Sequence, residues 1–125
     1  MAKKKVFLSY DYKDDKQLKG CFVSQAKNKK SPFSINDVSL KEAYPSKKWV
    51  SKAEEAIRKC ELFIVLLGRN THNAPGVHTE VNIAKRLNKE RIQVRPKGKK
   101  YGTLKNAGKL MAWKWKNFRK QWGQS

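Results

Sequence analysis

The sequence predicts a three-layer α/β fold, with a central parallel sheet of four to five strands covered by helices on both faces. Three observations lead there. Short apolar runs alternate with stretches of helical period along most of the chain. One run, Leu62-Phe-Ile-Val-Leu-Leu67, is apolar without a break, which suits a central parallel strand covered on both sides. The length of 125 residues fits one domain, spanning 1–125, that buries a core without staples.

Residues 5–10 read as a short buried strand centred on Phe7 and Leu8. The polar loop 11–15 follows, and Asp14 or Asp15 is placed to cap the next helix. In that helix Leu18, Cys21, Phe22, Gln25 and Ala26 share a face. Residues 28–32 end it, and the alternation in 33–38 gives a second, edge-like strand. Residues 39–45 are read as a loop and Ser46 as an N-cap. Trp49, Ala53, Ala56, Ile57 and Cys60 then recur at spacings of three and four, the mark of an amphipathic helix. After the strand 62–67, a long polar loop over 68–76 runs into a helix from Val77 to Leu87. A fourth strand over 91–95 is stopped by Pro96 and Gly98. The last segment reads as a strongly basic helix from about Thr103, carrying Leu104, Ala107, Met111, Trp115, Phe118 and Trp122 at spacings of three and four. Trp113 falls on the opposite side of that wheel. It is expected to be partly exposed, or at a contact with another chain such as a second copy in a homo-oligomer.

Strands alternating with helices imply right-handed crossovers and flavodoxin-like winding, with the first strand central beside the third. Ligands then bind at the carboxyl ends of these two strands, where the winding reverses. Ser9, Tyr10 and Asp11 stand on one side of that crevice, with Arg69, Asn70 and Glu80 across it.

Glu80 stands out on its own helix. At 100° per residue it falls at about 300° from Val77, inside the apolar arc formed by Val77, Val81, Ala84 and Leu87. A charge on a buried face is costly unless it is paired or used. The plain alternative is a helix-start carboxylate favoured by the macrodipole.

The charge narrows the partners. Thirty Lys and Arg against ten Asp and Glu give a net +20, and the eleven cations from Arg91 onward meet no acidic residue. Such a balance favours polyanions, and weak, salt-sensitive nucleic-acid binding is expected. Lys114, Lys116, Arg119 and Lys120 interleave with the terminal aromatics, a pattern that can serve nucleic acid. The start of the chain does not resemble a signal peptide, and no run is long enough to span a bilayer. Cys21 and Cys60 lie far apart with no metal-type neighbours, so both are read as reduced thiols of a cytoplasmic protein without membrane contact. His72 and His78 lack the companions a metal site needs, and no metal is expected. A Ser9–His78–Asp11 triad would lack a nucleophile elbow. A phospho-receiver would want an Asp where Gly68 and Arg69 end the third strand.

One succession of motifs is more specific. Val6-Phe-Leu-Ser-Tyr-Asp11 opens the chain, and Phe33-Ser-Ile-Asn-Asp37 follows. The helix ending at Cys60 leads into Leu62-Phe-Ile-Val-Leu-Leu-Gly68, and then comes Gly76-Val-His-Thr-Glu-Val-Asn-Ile-Ala84. This order resembles the small bacterial and archaeal TIR-like domains of the Thoeris anti-phage system, over roughly residues 4–94. The resemblance implies a flavodoxin-like fold and an NAD+ glycohydrolase or ADP-ribosyl cyclase. Such an enzyme consumes NAD+ as substrate and makes a cyclic ADP-ribose-type signal for a partner effector protein. It places the family glutamate at Glu80, where a carboxylate can stabilise an oxocarbenium-like ribose or hold its hydroxyls. Phe7, Ser9, Tyr10, Asp11, Asn36, Asp37, Arg69 and Asn70 are the residues expected to hold NAD+. Among them Asn36 and Asp37 would serve ribose or adenine, and Arg69 the pyrophosphate. Val77, His78 and Thr79 stand where the family usually carries a Trp before the Glu. The alternative reading is a non-catalytic module of the same fold that binds a protein or nucleic acid through its basic surface.

Overall fold

A computed structural model describes residues 3–39 and 47–123. The strands are β1 (Lys4–Ser9), β2 (Phe33–Val38), β3 (Leu62–Leu66), β4 (Glu90–Arg95) and β5 (Lys109–Ala112). They form one sheet in the order β2-β1-β3-β4-β5, and every neighbouring pair is parallel. The helices are α1 (Lys16–Ala26), α2 (Lys47–Lys59), α3 (Pro75–Arg86) and α4 (Trp115–Trp122), with a 3-10 turn at Thr71–Asn73 ahead of α3.

Strand parity sorts the core into two layers. Phe7, Phe63, Val65 and Leu67 pack with Trp49, Ala53 and Ile57 of α2 and with Val77, Val81 and Ala84 of α3. Val6, Leu8, Leu62, Ile64 and Leu66 face the other way, onto Phe22 and Ala26 of α1 and Phe118 of α4. All five residues of β3 are buried, as a strand between two others and two helical layers must be. β2 lies at the edge, as its alternation predicts.

The terminal segment departs from expectation. Residues 103–108 are not helical, 109–112 form β5, and the helix is confined to Trp115–Trp122. Apolar spacing alone does not separate the two forms there, because a short strand and a short helix in succession mimic one longer helix. Gly108, at φ +87°, breaks the segment. Leu104 and Ala107 join the α2/α3 layer, while Trp115, Phe118 and Trp122 close the opposite one around Phe22 and Phe33. Trp113 is half-buried, as expected of the residue left off the wheel, and it lies against Phe22 with ring centroids 5.3 Å apart.

Two smaller expectations also change. Asp15 stands at the start of α1, but its side chain makes no capping bond there. Cys21 is exposed, so the buried face of α1 narrows to Phe22 and Ala26. The Ser46 cap and most of the 39–45 loop lie outside the described residues. No helix among the described residues is long and apolar enough to cross a membrane.

Candidate active site

The parity that buries Phe7 also aims Ser9 at the α2/α3 layer, because residues two apart on a strand share a face. The apolar arc of α3 turns Glu80 toward the same layer, beside Val77, Val81 and Ala84. The two side chains meet there, and Ser9 Oγ donates to Glu80 Oε1 at 2.7 Å. A second hydroxyl comes from the neighbouring strand. β2 pairs with β1 through Leu8 and Val38, which sets Ser39 level with Ser9. Ser39 Oγ donates to the same Oε1 at 2.5 Å and accepts the backbone N–H of Tyr10 at 3.0 Å. One carboxylate oxygen is therefore fixed twice. The other, Oε2, is buried and has no hydrogen-bond partner among the described residues.

Glu80 is fully buried. Burial pushes its carboxyl up to about 7, against the two serine hydroxyls, which favour the charged form and pull it down. The consequence for stability has a definite sign. A carboxyl raised on folding from 4.5 to about 7 keeps its proton longer in the native state than in the unfolded one. Its stabilising contribution is complete below the unfolded value and is lost as pH rises through the folded one. We therefore expect Glu80→Gln to gain stability over the parent as pH rises. The gain reaches about 3 kcal/mol by pH 8 and shrinks toward zero near pH 5, read by denaturant unfolding at both pH values.

Glu80 lines a cavity of about 500 Å³ at the carboxyl ends of the strands, within the usual range for small-ligand sites. Tyr10 to Asp14, after β1, form one wall. Asn70, Asn73 and the first turn of α3 form the other, and Trp49 of α2 and Ser39 complete the lining. Lys13 is the one cation among the described lining residues, against Asp11, Asp14 and Glu80. In a chain of +20 the described part of this mouth is locally acidic. Burial raises the Asp11 carboxyl above its ordinary range, and the Asp14 charge adds to the rise. Asn70 Nδ2 donates to Asp14 Oδ2 at 3.1 Å, which ties the two walls together.

Asp15 anchors the same walls from behind. Thr71 Oγ1 donates to its Oδ2 at 2.8 Å and accepts the N–H of Gly68 at 2.7 Å. A Cβ on Gly68 would fall 2.2 Å from that carboxylate oxygen. Gly68→Ala is accordingly expected to push Asp15 off Thr71 and cost about 1–3 kcal/mol in chemical unfolding.

The structure brings together Glu80, Ser9, Tyr10, Asp11 and Asn70 from the residues expected on sequence. It places others elsewhere. Phe7 stacks on Phe63 with centroids 5.6 Å apart and belongs to the core beneath the site. Asn36 is exposed, passed over by the register shift that pairs Phe7 with Asp37, and neither Asn36 nor Asp37 lines the cavity. Arg69 is exposed and also stands outside the lining. Ser39, Tyr12, Asn73 and Trp49 were not anticipated. Ser39 carried a usable signal, since it directly follows the strand that flanks β1. Trp49 brings an indole to the cavity from α2, where the family pattern would place one just before the Glu.

The comparisons with known proteins bear on the fold and the family. No curated protein sequence matches the chain. A solved structure, that of the CMP N-glycosidase BcmB of Clostridium botulinum, is similar at 22% identity with a TM-score of 0.54. The match covers 94% of this chain and 96% of that one, and it bears on the fold. The model of the TIR-like domain of the Thoeris protein ThsB matches residues 7–101, a stretch that holds the carboxyl end of β1, the cavity walls and Glu80. With three quarters of its length matched, the chain belongs to the family of Thoeris ThsB TIR-like domains.

Proposed function

We propose that this chain breaks the N-glycosidic bond of NAD+, with Glu80 facing the ribose as the bond opens. The observation that carries the reading is the state of Glu80. It is buried, held through one oxygen by two serines, and has its second oxygen without a partner among the described residues, at a ligand-sized cavity. When the C1′–N bond breaks, its electron pair passes to the pyridinium nitrogen and nicotinamide leaves neutral. The ribose is left oxocarbenium-like, and a fixed carboxylate in a low-dielectric site stabilises that charge. Water can take the C1′ position, giving ADP-ribose and a proton. A nucleophile of the same molecule can do so instead, giving a cyclic ADP-ribose-type product. Family membership supports the cyclic product and an effector protein that reads it.

The acidic mouth favours NAD+ over a nucleoside monophosphate. Asp11, Asp14 and Glu80 suit a cationic nicotinamide and oppose a phosphate near the reacting carbon. A pyrimidine base must gain a proton to leave neutral, whereas the nicotinamide of NAD+ leaves neutral without one. The pyrophosphate fits better at the start of α3, where Gly76 and Val77 line the cavity and stand in the first turn, whose N–H groups have no helical acceptor.

The test is to incubate the protein with NAD+ and, separately, with CMP, and to follow nicotinamide and cytosine by chromatography. Nicotinamide release is expected. Cytosine release without nicotinamide would overturn the substrate, and release of neither would overturn the reaction. In the same assay Ser39→Ala is expected to move the pH at which activity appears upward, because it removes a hydrogen bond that favours the charged carboxyl.

A further inference from the structure

Two further grooves lie at the other end of the sheet. The crevice around Glu80 uses the carboxyl ends of β1, β2 and β3. At the amino ends, the close of α1, the turn into β2 and the α4 helix enclose two adjoining grooves of about 520 and 380 Å³. They share Lys30, Ser31 and Arg119, so they form one continuous channel. Lys27 and Lys29 add to its charge, and no acidic residue among the described residues lines either part. Lys27, Lys29, Lys30 and Arg119 are exposed, and none takes part in an ion pair among the described residues. Lys3, in contrast, spends its ammonium on the carbonyls of Ala26 and Asn28 at the end of α1.

The channel also has an aromatic wall. Trp115 lines the larger groove and is half-buried. Its ring is fixed from behind by Phe22, Phe33 and Phe118, at centroid distances of 5.1, 5.8 and 5.2 Å. Its indole N–H donates to Gln25 Oε1 at 2.6 Å, and the same oxygen accepts the Trp113 indole at 2.8 Å. The ring plane is therefore set before any ligand arrives, which lowers the ordering cost of stacking on it.

We propose that this channel binds single-stranded nucleic acid, its cations tracking phosphates while Trp115 offers a stacking surface to a base. A duplex keeps its bases stacked inside and would not use the ring. An anionic membrane would favour an apolar side chain among the cations. The exposed large hydrophobic among the described residues is Val50, on α2. Because the channel and the Glu80 crevice occupy opposite ends of the sheet, binding does not depend on the proposed NAD+ chemistry.

The test is anisotropy of a labelled oligothymidylate of about 15 nucleotides, matched to single-strand site sizes, across a salt series. The probe meets the parent, the triple variant Lys27→Glu/Lys30→Glu/Arg119→Glu, and a control triple Lys97→Glu/Lys99→Glu/Lys105→Glu of equal charge. All six positions are exposed, so both triples should keep the parent circular dichroism. The channel triple is expected to bind at least tenfold more weakly than the control. The slope of log K against log salt should fall by about 2, from three lost phosphate contacts. Replacing the thymidines by abasic sites should weaken binding to the parent. Equal loss in the two triples would overturn the proposal. So would indifference to abasic substitution, or tighter binding to vesicles of anionic lipid or to duplex DNA.

Discussion

Glu80→Gln is expected to lower kcat/KM for nicotinamide release from NAD+ on the order of 10³-fold, the scale lost when a preorganised electrostatic group is removed from a buried site. Gln is nearly isosteric with Glu, and the serine hydroxyls can still donate to its amide oxygen, so the cavity keeps its shape. What disappears is the negative charge beside a developing positive one. The same substitution separates a catalytic from a structural role. A purely structural carboxylate, held by Ser9 and Ser39 at 2.7 and 2.5 Å, would lose stability when replaced and would carry activity down with it. The raised carboxyl predicts the opposite sign, a variant more stable than the parent above pH 7 and nearly inactive. Loss of function with gain of stability is the usual mark of a group kept at a site despite its cost. Turnover that survives Glu80→Gln would remove Glu80 from the chemistry.

Gly108→Ala is expected to be the most damaging single-methyl change in the chain, lowering stability by about 3 kcal/mol or more through left-handed backbone strain and a steric clash together. Gly108 adopts φ +87°, where an L side chain is strained. An added Cβ would fall 1.9 Å from the carbonyl oxygen of Arg91, which is backbone and has no rotamer to escape into. Arg91 lies on β4, directly before the residue that pairs with Lys109 of β5. Gln93, buried on the same strand, donates through Nε2 to the Gly108 carbonyl at 2.9 Å and accepts the N–H of Leu104 at 2.7 Å. Moving Gly108 breaks that buried bridge as well as the β4–β5 register. Guanidinium unfolding reads the loss. A change within 0.5 kcal/mol, the range of an ordinary surface substitution, would contradict the placement of β5.

The same segment shows where the sequence was legible and where it was not. β3 was clear because an unbroken apolar run has few other uses in a domain of this size. Glu80 was clear because a charge within an apolar arc violates the helical pattern, and such violations mark sites. Ser9 followed from its place at the carboxyl end of β1, where the winding reverses. Ser39 was only half legible: it directly follows the strand beside β1, but its level with Ser9 depends on the β1–β2 register, which the folded sheet fixes. Asn36 and Asp37 looked equally suited to a ligand, but the irregular register puts them short of the cavity. β5 was hidden because its four residues carry one turn of apparent helical spacing, and the glycine before it is a weak signal when read alone. Asp15 misled for a related reason. A carboxylate before a helix reads as a cap, and only the fold brings Thr71 within 2.8 Å to claim it.

The central claim is that Glu80 works as a carboxylate beside a developing cation. The pH dependence of kcat/KM for NAD+ cleavage tests it most directly, because that quantity reports groups of the free enzyme. The account predicts a single rising limb with a midpoint near 7, the value burial gives the Glu80 carboxyl, and a plateau above it. A rate that falls as pH rises through 7 would mean that the protonated acid is the active form. That result would contradict the account.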